Sequence, residues 1–440
     1  MAVGQYIRQG FIAGAAALAL SGCMSGLPGL SGAGNTPEVT RAASSAAPQS
    51  FAQTGDNQST TIAVLLDRHS VLQSGSAYAR VAQSVLAGGA RPAEAELQSA
   101  HLRANAADKN WLPRLGPTVS LSDMGDLVTS LLIEQVVYDN GRKKAERAFA
   151  RADVEVAAVT LSIDTNDRVY TGLDLYLRAQ EAREKASVSS HALGEMREFD
   201  RIMTARVRGG ISDMSEQNII RAKLAELQSN HDAEVLDART AMAELDAMSA
   251  TPLQDVTGIS QIAEPAAGNL PLTVLRSVAE KDRDVAQATI DRAGLLPNVG
   301  AQVSTGQGTR GGLIVGSDAG FGFGTGASLK AIDAAREAAS RRVAQEQEDA
   351  NRRMAALEQK LAALTSRAAA SADVAGQARA NTELFQRQFN AGTRTVMDVV
   401  GVVETLARLE RDHVTLRYQI AKTQVEIARE RGALANGSDI

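Results

Sequence analysis

The 440 residues contain a single cysteine and a single tryptophan, and aromatic residues make up only 3%. A lone cysteine excludes an internal disulfide, a thiolate zinc site and, if it is consumed elsewhere, a thiol nucleophile. With so few rings, and with Ala, Leu, Arg, Glu and Gln dominant, the composition favours long helices over a β-sandwich. Neither sign of charge prevails: a net charge of -5 gives no reason to expect nucleic acid. The five histidines, His69, His101, His191, His231 and His413, show no metal-ligand spacing, and no Ser/His/Asp signature is present. The chain therefore reads as neither an enzyme nor a metal or cofactor protein. Proline is missing from residues 118–251 and 298–440, so nothing there forces a helix to stop.

The longest apolar run is short. Arg8 supplies a positive n-region, and residues 11–20 form an apolar stretch too brief to span a bilayer. Leu20-Ser21-Gly22-Cys23 follows and resembles a bacterial lipobox, cleaved before a cysteine that becomes fatty-acylated, for example with palmitate. Residues 1–22 then read as a signal peptide. Residues 23–60, rich in Gly, Ser, Ala and Pro, read as lipidated Cys23 and a flexible tether. Met24, not Asp, follows the cysteine, which points to the outer membrane.

The rest is written twice. Residues 389–406, FNAGTRTVMDVVGVVETL, read as a helix, a sharp reversal at Gly392 and a second helix. Thr393 or Thr395 is placed to cap the second helix, and Asp398 suits its positive end. Apolar residues then recur at spacings of three and four, at Val399, Val402, Leu406, Leu409, Leu416, Ile420 and Ile427, predicting a coiled-coil seam. A shift of 182 residues lays Gly210, Leu224, Leu227 and His231 on Gly392, Leu406, Leu409 and His413. The earlier seam runs through Ile220, Leu224, Leu227, Val235, Ala238, Met242 and Leu245.

Each half starts with a moderate helix, 93–110 or 272–293, that ends in a Leu-Pro signature at Leu112-Pro113 or Leu296-Pro297. Two short strands follow each signature, predicted at 118–122 with 131–138, and at 300–305 with 313–324. Helix signal then runs from 141 to 208 and from 328 to 391, roughly 100 Å in each case. The domain reading is a first repeat at 61–250, an equatorial connection at 251–271, a second repeat at 272–434 and a tail at 435–440.

Gly306-Gln-Gly-Thr-Arg-Gly311 matches GxGxxG, but no helix follows it to receive a phosphate, so it reads as an exposed hairpin loop. His231 and His413 read as helix-contact histidines or, alternatively, as a proton-sensitive ring. Arg206, Arg208 and Arg394 read as solvated charge or as contacts to another chain.

Taken together, Gly392-Thr-Arg-Thr with Asp398-Val399, the paired Leu-Pro signatures, Tyr138-Asp-Asn-Gly-Arg142 and Arg431-Gly-Ala-Leu434 resemble the TolC family of outer-membrane efflux and secretion channels, in its lipoprotein branch. The resemblance covers about residues 65–435. It implies a mainly α protein with a small β part: a homotrimer whose protomers each give four strands to a twelve-stranded outer-membrane β-barrel and long helices to a periplasmic α-barrel. It implies a passive exit duct of a tripartite efflux pump or type I secretion system, lipid-anchored in the outer membrane. The partners implied are outer-membrane lipids, a periplasmic adaptor and an inner-membrane transporter. The adaptor role falls on the turns at Gly209, Gly210, Ile211, Ser212, Asn390, Gly392, Thr393 and Arg394. Asp398 matches an entrance-gating aspartate, while Gly401 stands where a second acidic residue is usual. The competing reading is a coiled-coil envelope lipoprotein without a pore, which would have no use for the strands.

Overall fold

A computed structural model describes residues 59–89, 91–121, 127–263, 270–306, 308–317 and 323–439. Two short helices, α1 (Thr60–Leu66) and α2 (Ala77–Ala87), precede α3 (Pro92–Ala107) and the hairpin β1 (Arg114–Leu121) and β2 (Leu127–Tyr138). Then come α4 (Arg142–Arg208), α5 (Met214–Met248), α6 (Leu272–Gly294), the hairpin β3 (Asn298–Gly306) and β4 (Gly308–Gly316), α7 (Thr325–Asn390) and α8 (Val396–Glu430). A turn of 3₁₀ helix spans Gly437–Asp439.

The long helices are as the sequence predicts. α4 has 67 residues and α7 has 66, each about 100 Å at roughly 1.5 Å per residue. Helices of this length owe their stability to packing along a neighbour rather than to propensity. α4 lies against α3, α5 and α6, and α7 lies against α6 and α8. The hub is α4, which also packs on α8 and α2 and buries residues along its whole length, whereas α7 buries only Ala339, Ala350, Leu364, Ala368, Ala375 and Thr382.

Three apolar clusters sit in succession along α4. One gathers Val154, Val159 and Leu161 with α3 and Leu272 and Leu275. The largest joins Val169, Leu173, Tyr176 and Leu177 to α2, the end of α5 and Val414–Ala428. The third lies near the two turns, with Met196, Phe199, Met203, Ile220, Val399 and Val403. The α5 seam is close to expectation: Ile220, Leu227, Ala238, Met242 and Leu245 are buried. The α8 seam is rotated from it. The buried residues are Val396, Val399, Val400, Val403, Ala407, Val414, Leu416, Tyr418, Ala421, Thr423, Val425 and Ala428. Val399 and Leu416 of the expected seam are thus buried, Leu416 against α7, while Val402, Leu406, Leu409, Ile420 and Ile427 are half-buried on the flank. Two adjacent faces of α8 satisfy the same three-four spacing, and the close approach of α4 selects the one with smaller side chains.

Charge sorts the flanks of α8. Arg417, Lys422 and Arg429 pair with Glu184, Glu181 and Asp167 of α4, and Glu410, Glu426 and Glu430 pair with Arg379, Lys360 and Arg353 of α7. Along α8 these cations face α4 and these anions face α7, with Arg431 at the C-cap as the exception, paired with Glu358 of α7. The sorting disfavours exchanging the neighbours.

Sequence reading missed α1 and α2, and with them a clasp. Buried Arg68 donates to the carbonyls of Leu270, Arg431 and Gly432, and no carboxylate pairs with it among the described residues. Burial pushes its guanidinium pKa down. Beside it, Val71 N–H bonds the Ala433 carbonyl and Gly437 N–H bonds that of Arg68, joining the start of the first repeat to the end of the second. Arg68→Met should leave three carbonyls, one buried and two partly buried, short of a donor and cost on the order of 2 kcal/mol. Thermal unfolding of the detergent-solubilised protein should register this as a clear drop in midpoint, and an unchanged midpoint would remove the clasp role.

The strands are paired in the order β1-β2-β3-β4, all antiparallel. β1 and β3 start directly after their Leu-Pro signatures. β1 and β2 begin earlier than expected, at Arg114 rather than 118 and at Leu127 rather than 131, because pairing extends both past the alternating stretch. β4 is corrected: it covers 308–316 rather than 313–324, and part of the expected 313–324 strand lies outside the described residues. The GxGxxG stretch falls in a hairpin, as expected, but with more of it paired than a loop: Thr305 pairs with Thr309 and Gly306 with Gly308, so its described glycines belong to β3 and β4.

Candidate functional site: the two helical turns and the two-faced sheet

Both turns follow one hydrogen-bond plan. In the first, Gly210 N–H bonds Val207 O at 3.0 Å and Ile211 N–H bonds Arg206 O at 2.9 Å. In the second, Gly392 N–H bonds Phe389 O and Thr393 N–H bonds Gln388 O, each at 2.9 Å. These are Schellman closures, which require a left-handed residue, and Gly210 and Gly392 have φ of 72° and 77°. The shift of 182 residues maps every one of these bonds onto its counterpart.

The turns lie together. Phe199 and Phe389 meet edge to face with centroids 6.3 Å apart, and Gln386 bonds Glu195 at 3.3 Å. Lys223 of α5 pairs with Glu404 of α8, tying the two returning helices. Arg206 lies over the Phe389 ring at 5.5 Å and Arg394 over Phe385 at 4.3 Å, while Arg208 is exposed. Two of the three arginines thus use their planar faces within the chain. Gly209, Gly210, Ile211, Asn390, Gly392, Thr393 and Arg394 are exposed and Ser212 is half-buried, so these positions form the outer surface of this end.

Asp398 closes a capping box. Its Oδ2 accepts from Thr395 N–H at 3.1 Å and from Thr395 Oγ1 at 2.9 Å, and its own N–H donates to Thr395 Oγ1 at 3.2 Å. These bonds from Thr395, with the charge of Arg394 adding to them, hold the carboxyl below the usual aspartate range. Thr395, not Thr393, is the cap. Gly401, one turn on, is exposed with open space at its Cβ. His231 Nδ1 lies 3.1 Å from the Ala186 carbonyl, a helix-to-helix contact, whereas the Nδ1 of His413 is buried without a partner among the described residues.

At the far end of α4 the sheet carries a second arrangement. Directly paired residues of antiparallel strands share a face. One face therefore carries Leu115, Pro117, Val119, Leu131, Ile133, Val299, Ala301, Val303, Leu313 and Val315, with Thr129, Gln135, Thr305 and Thr309 among them. The opposite face is the more polar: it carries Arg114, Thr118, Ser130, Glu134, Gln302, Ser304 and Arg310, with Leu132, Val136 and Ile314 interspersed. The apolar face is uncovered: Leu115, Leu313 and Val315 are 66%, 75% and 69% exposed. β1 and β4 each pair on one side only. Such a sheet is incomplete in water and in lipid alike, because both its apolar face and its edge groups lack partners. Period-two alternation in 115–119 was the signal available in sequence; the pairing of all four strands into one sheet was not.

Long antiparallel helices in two repeats, each opened by a hairpin and all four strands in one sheet, decide the architecture. The chain has the TolC-type protomer fold. Solved outer-membrane channels superpose over most of it. A membrane protein from Pseudomonas aeruginosa matches with a TM-score of 0.71 at 13% identity, covering 84% of this chain and 92% of that one. The CmeC outer membrane channel of Campylobacter jejuni gives 0.70 at 12% identity over 82% and 87%. The outer membrane protein VceC of Vibrio cholerae gives 0.70 at 15% identity over 81% and 96%. Neither protein-family profiles nor characterised protein sequences match the chain. At such identities the TolC-type fold is carried by helix length, turn chemistry and strand pairing rather than by shared residues. No helix among the described residues is long and apolar enough to cross a membrane.

Proposed function

We propose that the chain is one protomer of a trimeric outer-membrane channel that serves as the passive exit duct of an efflux pump or type I secretion system. The observation that carries this reading is the two-faced, open-edged sheet. Three copies edge to edge pair every strand, turn the apolar face to lipid and the polar face to a lumen. The structural neighbours include CmeC and MtrE, both described as outer membrane channels, which supports the same reading. A pore-free coiled-coil lipoprotein would leave that sheet unused.

Purified protein should give discrete conductance steps in a planar bilayer and a mass near three times the mature chain in mild detergent. A monodisperse monomer, or a trimer without conductance, would contradict the proposal. The exposed turns at Gly209–Ser212 and Asn390–Arg394 are proposed as the contact with a periplasmic adaptor, which hands over substrate from an inner-membrane transporter, and Asp398 as a ring at the entrance between them. Cys23, outside the described residues, is proposed as the lipid attachment point. Cys23→Ser should abolish labelling by a fatty-acid probe while the barrel still holds protein in the membrane; label retained in that variant would refute the anchor.

A further inference from the structure

We propose, on the channel reading above, that each protomer selects anionic phospholipid headgroups through a cationic band in its first repeat, at the foot of the apolar sheet face. That face ends in exposed Trp111, Leu112 and Tyr138, and Gln135, on the same face, donates its Nε2 to the Trp111 carbonyl at 2.9 Å. Rings with an apolar body and a polar edge collect where hydrocarbon meets headgroups, so this level marks a bilayer boundary.

The residues that continue the chain away from that level are cationic. Lys109 precedes Trp111, and Arg142, Lys143, Lys144, Arg147 and Arg151 open α4. The carboxylates among them are already engaged. Asp108 pairs with Arg151 at 3.1 Å, Glu146 is shared by Arg142 and Lys143 at 3.2 and 3.5 Å, and Asp139 accepts from the Lys143 backbone N–H at 2.6 Å. Arg147 donates to the neutral side chain of Asn110 at 2.9 Å. Lys109 and Lys144 are exposed and form no ion pair among the described residues. A surface recess of about 480 Å³ is flanked by Lys144, Arg147 and Arg151, and its two carboxylates are Glu155, a turn further along α4, and Asp282 of α6.

The band belongs to one repeat only. The second repeat has Leu295-Leu296 in place of Trp111-Leu112, and α7 opens Thr325-Gly-Ala-Ser-Leu329 with its first cation at Lys330. Channel architecture, common to both repeats, therefore does not require the cations. An apolar face continuous with an aromatic edge and an excess of positive charge is complementary to a lipid with an anionic head. Each engaged cation should favour such a lipid about fivefold.

The test uses the full-length channel reconstituted in phosphatidylcholine bilayers with or without an equimolar share of phosphatidylglycerol, followed by native mass spectrometry of the lipids retained. The wild type should retain phosphatidylglycerol preferentially. Lys109→Gln with Lys144→Gln should reduce that preference by roughly tenfold or more, whereas Lys330→Gln should not. Equal retention of both lipids by the wild type, or an undiminished preference in the double variant, would overturn the proposal while pores still form in both bilayers. Absence of pores in either bilayer would instead overturn the channel reading on which it rests.

Discussion

Val303→Arg should eliminate membrane-inserted channel, while Gln302→Arg, one residue away, should leave it assembled. The two positions sit mid-strand in β3 but on opposite faces, Val303 paired with Ile133 and Gln302 with Glu134. An arginine on the lipid face near the bilayer centre costs roughly 2–4 kcal/mol, and a trimer places three of them in the barrel wall. The summed penalty, on the order of 6–12 kcal/mol, is comparable to the whole stability of an ordinary domain. On the lumen face the guanidinium stays in water beside the Glu134 carboxylate. Gln302→Arg should therefore leave the proposed trimer assembled in mild detergent and shift ion selectivity toward anions. Equal tolerance of both substitutions would show that the sheet lies outside the bilayer, and the barrel would fall with it.

Asp398 carries the second large effect. In a trimer the three carboxylates would share a narrow entrance, so Asp398→Ala should weaken block by trivalent cations added on the periplasmic side roughly tenfold, the scale of one close charge contact. Asp398 also caps α8, so charge and cap must be separated. Asp398→Asn retains an acceptor for Thr395 N–H and should lose block while keeping thermal stability. If block in Asp398→Asn matches the wild type, the residue is a cap and not a gate. Within each chain the bonds from Thr395 lower the carboxyl's pKa, while two neighbouring carboxylates in a ring would raise it. Protonation in either case removes the charge, so block should be full at neutral pH and lost as pH falls through the carboxyl's titration. The cap's contribution to stability has the same sign: present above the unfolded-state pKa, and lost as pH falls through the folded one.

What was legible in sequence is what local chemistry decides. Uninterrupted helix formers set the lengths of α4 and α7, a glycine in each turn set the left-handed closure, Pro113 and Pro297 set where extended chain begins, and the shift of 182 residues exposed the repeat. Each depends on a few neighbouring residues, and each has no competing conformation of similar energy. The second strand of the second repeat was less legible because glycines at 306, 308, 311, 312 and 316 carry no side-chain alternation to fix an end. Its limits come from pairing with β3, a long-range choice.

The clasp at Arg68 was invisible for a related reason. A guanidinium recognised by carbonyls of residues 270, 431 and 432 leaves no side-chain pattern in the sequence, because every residue supplies a carbonyl. The true seam of α8 was also a tertiary decision. Heptad spacing limits the buried line to two neighbouring faces, and only the position of α4 against α8 chooses between them. The sequence by itself determined the lengths, the reversals and the repetition. Tertiary structure alone decided which faces meet, because burial is a property of two surfaces and a single helix specifies only one.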